Sequence, residues 1–98
     1  MKPVARRRYL VAYDICDDRR LRQVAATMES YGERAQYSVF LCDLSRADLA
    51  DLRHDLSRTI DRAQDSVLIV NLGDPTTHDR VEFLGRRRPV PTPGPTVL

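Results

Sequence analysis

The sequence predicts an α+β domain, an antiparallel sheet with two helices on one face. Three observations point there. Two runs, "RYLVAY" at 8–13 and "DSVLIVNL" at 65–72, are rich in aromatic and β-branched residues with almost no polar interior, as central strands are. Two intervening segments repeat apolar residues at helical spacing. The elements follow one another as strand, helix, strand run, helix, strand.

Residues 8–13 form the first strand, apolar on both faces and therefore central. Asp17 or Asp18 caps the helix that follows. Leu21, Val24, Ala25 and Met28 share one face of it, with Tyr31 a turn on, while Arg22, Gln23, Glu29 and Ser30 take the wetter side. Gly32 is read as a helix stop, because glycine tolerates the left-handed conformation.

The run "ERAQYSVFLCDL" at 33–44 has strong strand propensity. Periodicity fits one long strand or two short ones about a turn near Tyr37-Ser38. Ser45 and Asp48 stand in a capping-box arrangement before the second helix. Leu49, Leu52, Leu56 and Ile60 make its apolar stripe. The last core strand is 65–72.

Gly73-Asp74-Pro75 closes the compact pattern. The apolar piece at 81–84 is a candidate extra strand. From Gly85 onward prolines crowd the chain, and proline cannot hold a ladder or a helix interior. The expectation is one domain over 1–84 and a disordered Pro/Arg-rich tail over 85–98. If the middle run splits, the order is βαββαβ, the ferredoxin-like plan. Its two helices cover one sheet face. The other face, built from apolar strands, needs a cover, and a second copy is the simplest one.

The 98 residues, 42% apolar, suffice for one small core. No apolar run reaches the roughly 20 residues of a membrane span, and the basic start "MKPVARRR" lacks a signal-peptide core. A soluble cytoplasmic protein is expected. Cys16 and Cys42 form no CxxC pair or zinc spacing, so both are expected to be reduced thiols of minor role. The net charge of +2 hides an uneven distribution. Residues 14–74 carry eight bases against twelve acids, whereas both ends are basic. Bulk charge therefore does not argue for nucleic-acid binding, and local arginine placement must.

The blocks "YDICDDRR", "YGERAQYSVFLCDL" and "DSVLIVNL", in that order and spacing, resemble the CRISPR-associated protein 2 family over residues 9–72. The resemblance implies a ferredoxin-like homodimer in which the middle run splits into a hairpin. It implies that 81–84 adds to the partner subunit's sheet. It also implies a role in the CRISPR adaptation complex, bridging integrase subunits and binding duplex DNA, with a metal-dependent endonuclease activity on RNA or DNA as a secondary expectation. The chain departs from the family in the eight residues before Tyr9, in Cys42 where glycine is frequent, and in its proline-rich end.

The resemblance implies that Asp14, at the end of the first strand, is the metal-binding and catalytic residue, for Mg²⁺ or another divalent cation. Hard cations take carboxylate oxygen. Without the resemblance, Asp14 reads instead as a loop cap or a partner of Arg19 or Arg20. Arg19, Arg20 and Arg22 lie on the first helical turn, where they oppose the helix dipole. Phosphate contact is a reason for them to be there, and Arg34 is a similar case. Tyr13, Ser38 and Phe40 are expected near the site, Phe40 chiefly as packing. His54 and His78 have no partner at useful spacing, and the triple Arg86, Arg87 and Arg88 reads as a nucleic-acid arm or a solubilising tail. Two rival readings are a free-standing toxin-type endoribonuclease and an interaction module with neither metal nor nucleic acid.

Overall fold

The computed structural model describes residues 5–76 and 80–85. The elements are β1 (Arg7–Asp14), α1 (Asp18–Glu29), β2 (Glu33–Gln36), β3 (Val39–Leu44), α2 (Arg46–Thr59) and β4 (Ser66–Gly73). The middle run is thus two strands, turning at Tyr37-Ser38. The sheet order is β2-β3-β1-β4, with every neighbouring pair antiparallel. This is the expected ferredoxin-like arrangement.

Both helix starts follow the local chemistry. Asp17 is the N-cap of α1 and accepts from the Arg20 amide at 2.9 Å. Ser45 and Asp48 close a full capping box at α2, satisfying two amides that a helix start leaves without intrahelical partners. The predicted apolar stripes point inward, with Val24 and Met28 of α1 and Leu49, Leu52 and Leu56 of α2 buried. Tyr31, just past α1, donates to Asp55 Oδ2 of α2 at 2.6 Å and ties the two helices together.

Gly32 departs from its predicted role. It does not adopt positive φ, and α1 is capped by Ser30 in a right-handed conformation. Glycine is needed for space instead. A Cβ on Gly32 would sit 2.5 Å from Cys42 Sγ and closer still to the Leu41 carbonyl oxygen.

Side-chain alternation divides the sheet into two unlike faces. Tyr9, Val11 and Tyr13 of β1 join Phe40, Cys42 and Leu44 of β3 beneath the helices. The opposite face carries Leu10 between Leu41 and Val70, and Ala12 between Val39 and Leu68. Among the described residues nothing covers that apolar row: Leu68 is 58% exposed and Val70 37%. Arg8, forked onto Asp43 at 2.8 and 3.0 Å, closes the row at one end, and Asp14 closes it at the other.

Residues 81–84, the candidate extra strand, form no strand within this chain, whose sheet is β2-β3-β1-β4. Of the predicted tail, only Gly85 falls among the described residues; 86–98, with Arg86, Arg87 and Arg88, lie outside them, as does His78. Among the described residues no helix is long and apolar enough to cross a membrane.

Candidate functional site

Asp14 is exposed, and its place at the end of β1 follows from the ladder. β1 continues alternating until its last rung, where Asp14 faces Ser66 across β4. By that alternation Asp14 shares the open face with Leu10 and Ala12. Among the described residues its carboxylate takes part in no ion pair, and the local reading as a partner of Arg19 or Arg20 is not what the fold builds. Also among the described residues, no group of three or more His, Cys, Asp or Glu is gathered to hold a metal. Asp14 is a donor of the right chemistry for a hard cation, but the described residues gather too few such donors for a site by themselves.

Tyr13, one residue earlier, points to the other face. Its ring stacks on Phe40 with centroids 6.2 Å apart, and Arg34 lies over the Phe40 ring at 5.2 Å. Arg34 also reaches toward Glu29 Oε1, 3.8 Å away. Burial pushes the Tyr13 hydroxyl up from its ordinary pKa, against the opposing pull of the Arg34 charge, so Tyr13 stays neutral. Tyr13, Phe40 and Arg34 thus form the packed backing of the tip. Ser38, half-buried in the β2–β3 turn, accepts the Tyr13 amide through its carbonyl at 3.1 Å. This bond fixes the hairpin turn beside the end of β1.

The three arginines of α1 differ in what they touch. Arg19 and Arg22 are exposed and hold no ion pair among the described residues. Arg20 is engaged instead, with Nε 2.7 Å and Nη2 3.2 Å from the carboxylate of Asp65. Asp65 is the residue that sequence reasoning missed. It reads as the polar start of a strand, and its partner stands 45 positions away, so no local spacing reveals the pair. His54 is exposed on α2.

Cys16 and Cys42 are both free. Burial raises the Cys42 thiol to about 11, which keeps it protonated and inert.

Asp65 carries a pH prediction. The Arg20 hydrogen bond, with those from the Asp61 and Cys16 amides, outweighs burial and holds its carboxyl well below the usual carboxylate range. A depressed acid stabilises the fold above its unfolded pKa of about 4 and loses that contribution as pH falls toward the folded value. The Tm gap between wild type and Asp65→Asn is therefore expected to be widest above about pH 5 and to shrink steadily between roughly pH 4 and 2. Circular dichroism melts across that range check it; a gap that stays constant contradicts the assignment.

Comparison with known proteins places this geometry among relatives. A family model described as "CRISPR associated protein Cas2" matches residues 7–80. The chain is 36% identical over 90 residues to a Synechocystis sp. protein named CRISPR-associated endoribonuclease Cas2 3, covering 92% of this chain and 97% of that one. It is 47% identical over 82 residues to a Thermus thermophilus CRISPR-associated endonuclease Cas2 2, covering 84% and 86%. A crystal structure of Streptococcus pyogenes Cas2 at pH 6.5 superposes with a TM-score of 0.71 at 38% identity, over 80% of this chain and 99% of that one.

Proposed function

The chain belongs to the CRISPR associated protein Cas2 family, and on that premise we propose that two copies close through their open sheet faces into the small subunit of the CRISPR spacer-acquisition complex. In this reading the cytoplasmic dimer bridges integrase subunits and holds duplex DNA by its backbone, independently of sequence and with strong salt dependence. One observation carries it. Among the described residues, an apolar face left open ends in a carboxylate without an ion-pair partner, on the same row of side chains.

A two-fold axis across that face brings Asp14 of each copy toward the other. The paired carboxylates then make a shared oxygen site for Mg²⁺ or another divalent cation. When bound, such a cation supplies charge neutralisation at a phosphodiester and acidifies a bound water. Arg19 and Arg22, exposed on α1, hold phosphates. Ser38 flanks the carboxylate from the hairpin turn. Tyr13, Phe40 and Arg34 back the tip from the core side.

The relatives carry nuclease names, and a second reading keeps only that activity: a free-standing toxin-type endoribonuclease centred on Asp14. One experiment separates the two: capture of an integrase subunit by the full chain, beside Mg²⁺-dependent cleavage of RNA and DNA oligonucleotides, for wild type and Asp14→Asn. The expected result is integrase capture by both proteins, with any wild-type cleavage falling on the order of 100-fold or more in the variant. Cleavage that depends on Asp14 with no integrase captured supports the free-standing enzyme instead. If neither integrase capture nor Asp14-dependent cleavage is observed, both readings fall.

A further inference from the structure

One buried charge cluster lies outside the parts assigned to binding. The side chain of Asp65 is 0% exposed and receives donors from three separate segments. The Cys16 amide donates at 2.9 Å, the Asp61 amide at 2.8 Å, and the Arg20 fork at 2.7 and 3.2 Å. A buried carboxylate is costly unless it is charge-paired and saturated with hydrogen bonds. This one meets both conditions, so its location is informative.

Asp65 stands directly before Ser66, the ladder partner of Asp14, and it grips the amide of Cys16, two residues beyond Asp14. Asp14 is the last rung of β1, and strand ends open locally unless they are tied. A second tie joins the same two loops, Cys16 Sγ donating to the Gln64 carbonyl at 2.8 Å. Arg20, for its part, sits on α1 between Arg19 and Arg22. Its amide is already held by the Asp17 cap while its guanidinium is held by Asp65.

We infer that Asp65 is a positioning residue. Through the Cys16 amide and the Arg20 fork it locks the chain leaving β1 to the chain entering β4, and so fixes the Asp14 tip relative to the exposed arginines of α1. The inference rests on the reading of Asp14 as the working carboxylate. A planar fork on a carboxylate sets direction as well as distance, and a pre-ordered tip need not be ordered at the moment of binding. Where Asp14 is the working acid of each chain, that order decides how well a cation or phosphate is met.

The test uses the full ¹⁵N-labelled chain as wild type, Asp65→Asn, Arg20→Lys and Asp14→Asn, at a temperature where circular dichroism shows all four folded. Asp65→Asn keeps the shape and removes the charge and one acceptor. Backbone order parameters at Asp14 and Ile15 are expected to fall from about 0.85 toward 0.6 or below in Asp65→Asn, with Val11 and Phe40 unchanged. Arg20→Lys shifts them less, in the same direction. In Mg²⁺-dependent oligonucleotide cleavage, Asp65→Asn lowers kcat about tenfold while KM stays within about twofold. Unchanged order at Asp14 and Ile15 in a folded Asp65→Asn overturns the inference, leaving Asp65 a stabilising residue only. If Asp14→Asn instead cleaves and binds Mn²⁺ like wild type, the function proposed for Asp14 falls, while the order parameters still decide the clamp.

Discussion

Replacing Leu68 with Asp is expected to turn a dimer into a monomer without unfolding the chain. Light scattering after gel filtration should give wild type at twice the 11.2 kDa chain mass and Leu68→Asp at 11.2 kDa. The chain's own fold tolerates the change because Leu68 is already 58% exposed in it. The interface does not tolerate it. Leu68 lies opposite Ala12 in the middle of the apolar row, away from the Arg8–Asp43 pair at its end. Lost burial costs roughly 1.5–3 kcal/mol per leucine. A two-fold interface repeats the loss, giving about 3–6 kcal/mol, or two to four decades in dissociation constant. The two new carboxylates would also face each other across the axis. A Leu68→Asp protein that stays dimeric removes the open face as the dimer seam, and the paired Asp14 site with it.

The second large effect is on stability. Gly32→Ala is expected to cost about 2–3 kcal/mol, the upper part of the range for overpacking. In a domain of this size that lowers Tm by roughly 10–20 °C. The sign is the informative part. Gly32 has no positive φ, and at such a position alanine usually stabilises by about 0.4–1 kcal/mol by restricting the unfolded chain. Here the new methyl meets the Leu41 carbonyl oxygen and Cys42 Sγ, with Cys42 Cα at 3.0 Å. Leu41 pairs with Leu10 on one side and Glu33 on the other, so β3 cannot retreat without breaking ladder bonds. Adding Cys42→Ala should recover only part of the loss, since the carbonyl remains. Thermal melts of the two single variants and the double variant check this, and a Tm at or above wild type for Gly32→Ala would show that the contact is absorbed.

Much of the fold was readable because its signals are short-range. Asp17, Ser45 and Asp48 announce helix starts through partners three residues away. Leu49, Leu52 and Leu56 declare the buried side of α2 by spacing alone. Asp14 could be picked out as the polar end of an apolar strand. Arg20 and Arg34 show the opposite case. Beside Arg19 and Arg22 in sequence, Arg20 looks like one of three equivalent cations, yet in space it belongs to Asp65. Arg34 looks like a surface base before a hairpin, yet it lies over the Phe40 ring.

The sequence alone determined the kind and order of the elements on either side of the middle run, their caps and inward faces, and a family likeness that points to Asp14. All of these depend on neighbours within a few positions or on a colinear pattern. The folded chain decided that the middle run turns at Tyr37-Ser38, that Gly32 serves close packing and not chain reversal, and that Asp65 holds Arg20. It also decided that Asp14 ends the uncovered face while Tyr13 turns into the core. These outcomes depend on contacts between residues remote in sequence, such as the 45 positions between Arg20 and Asp65, and on strand register, where a slip of one residue exchanges the two faces of the sheet.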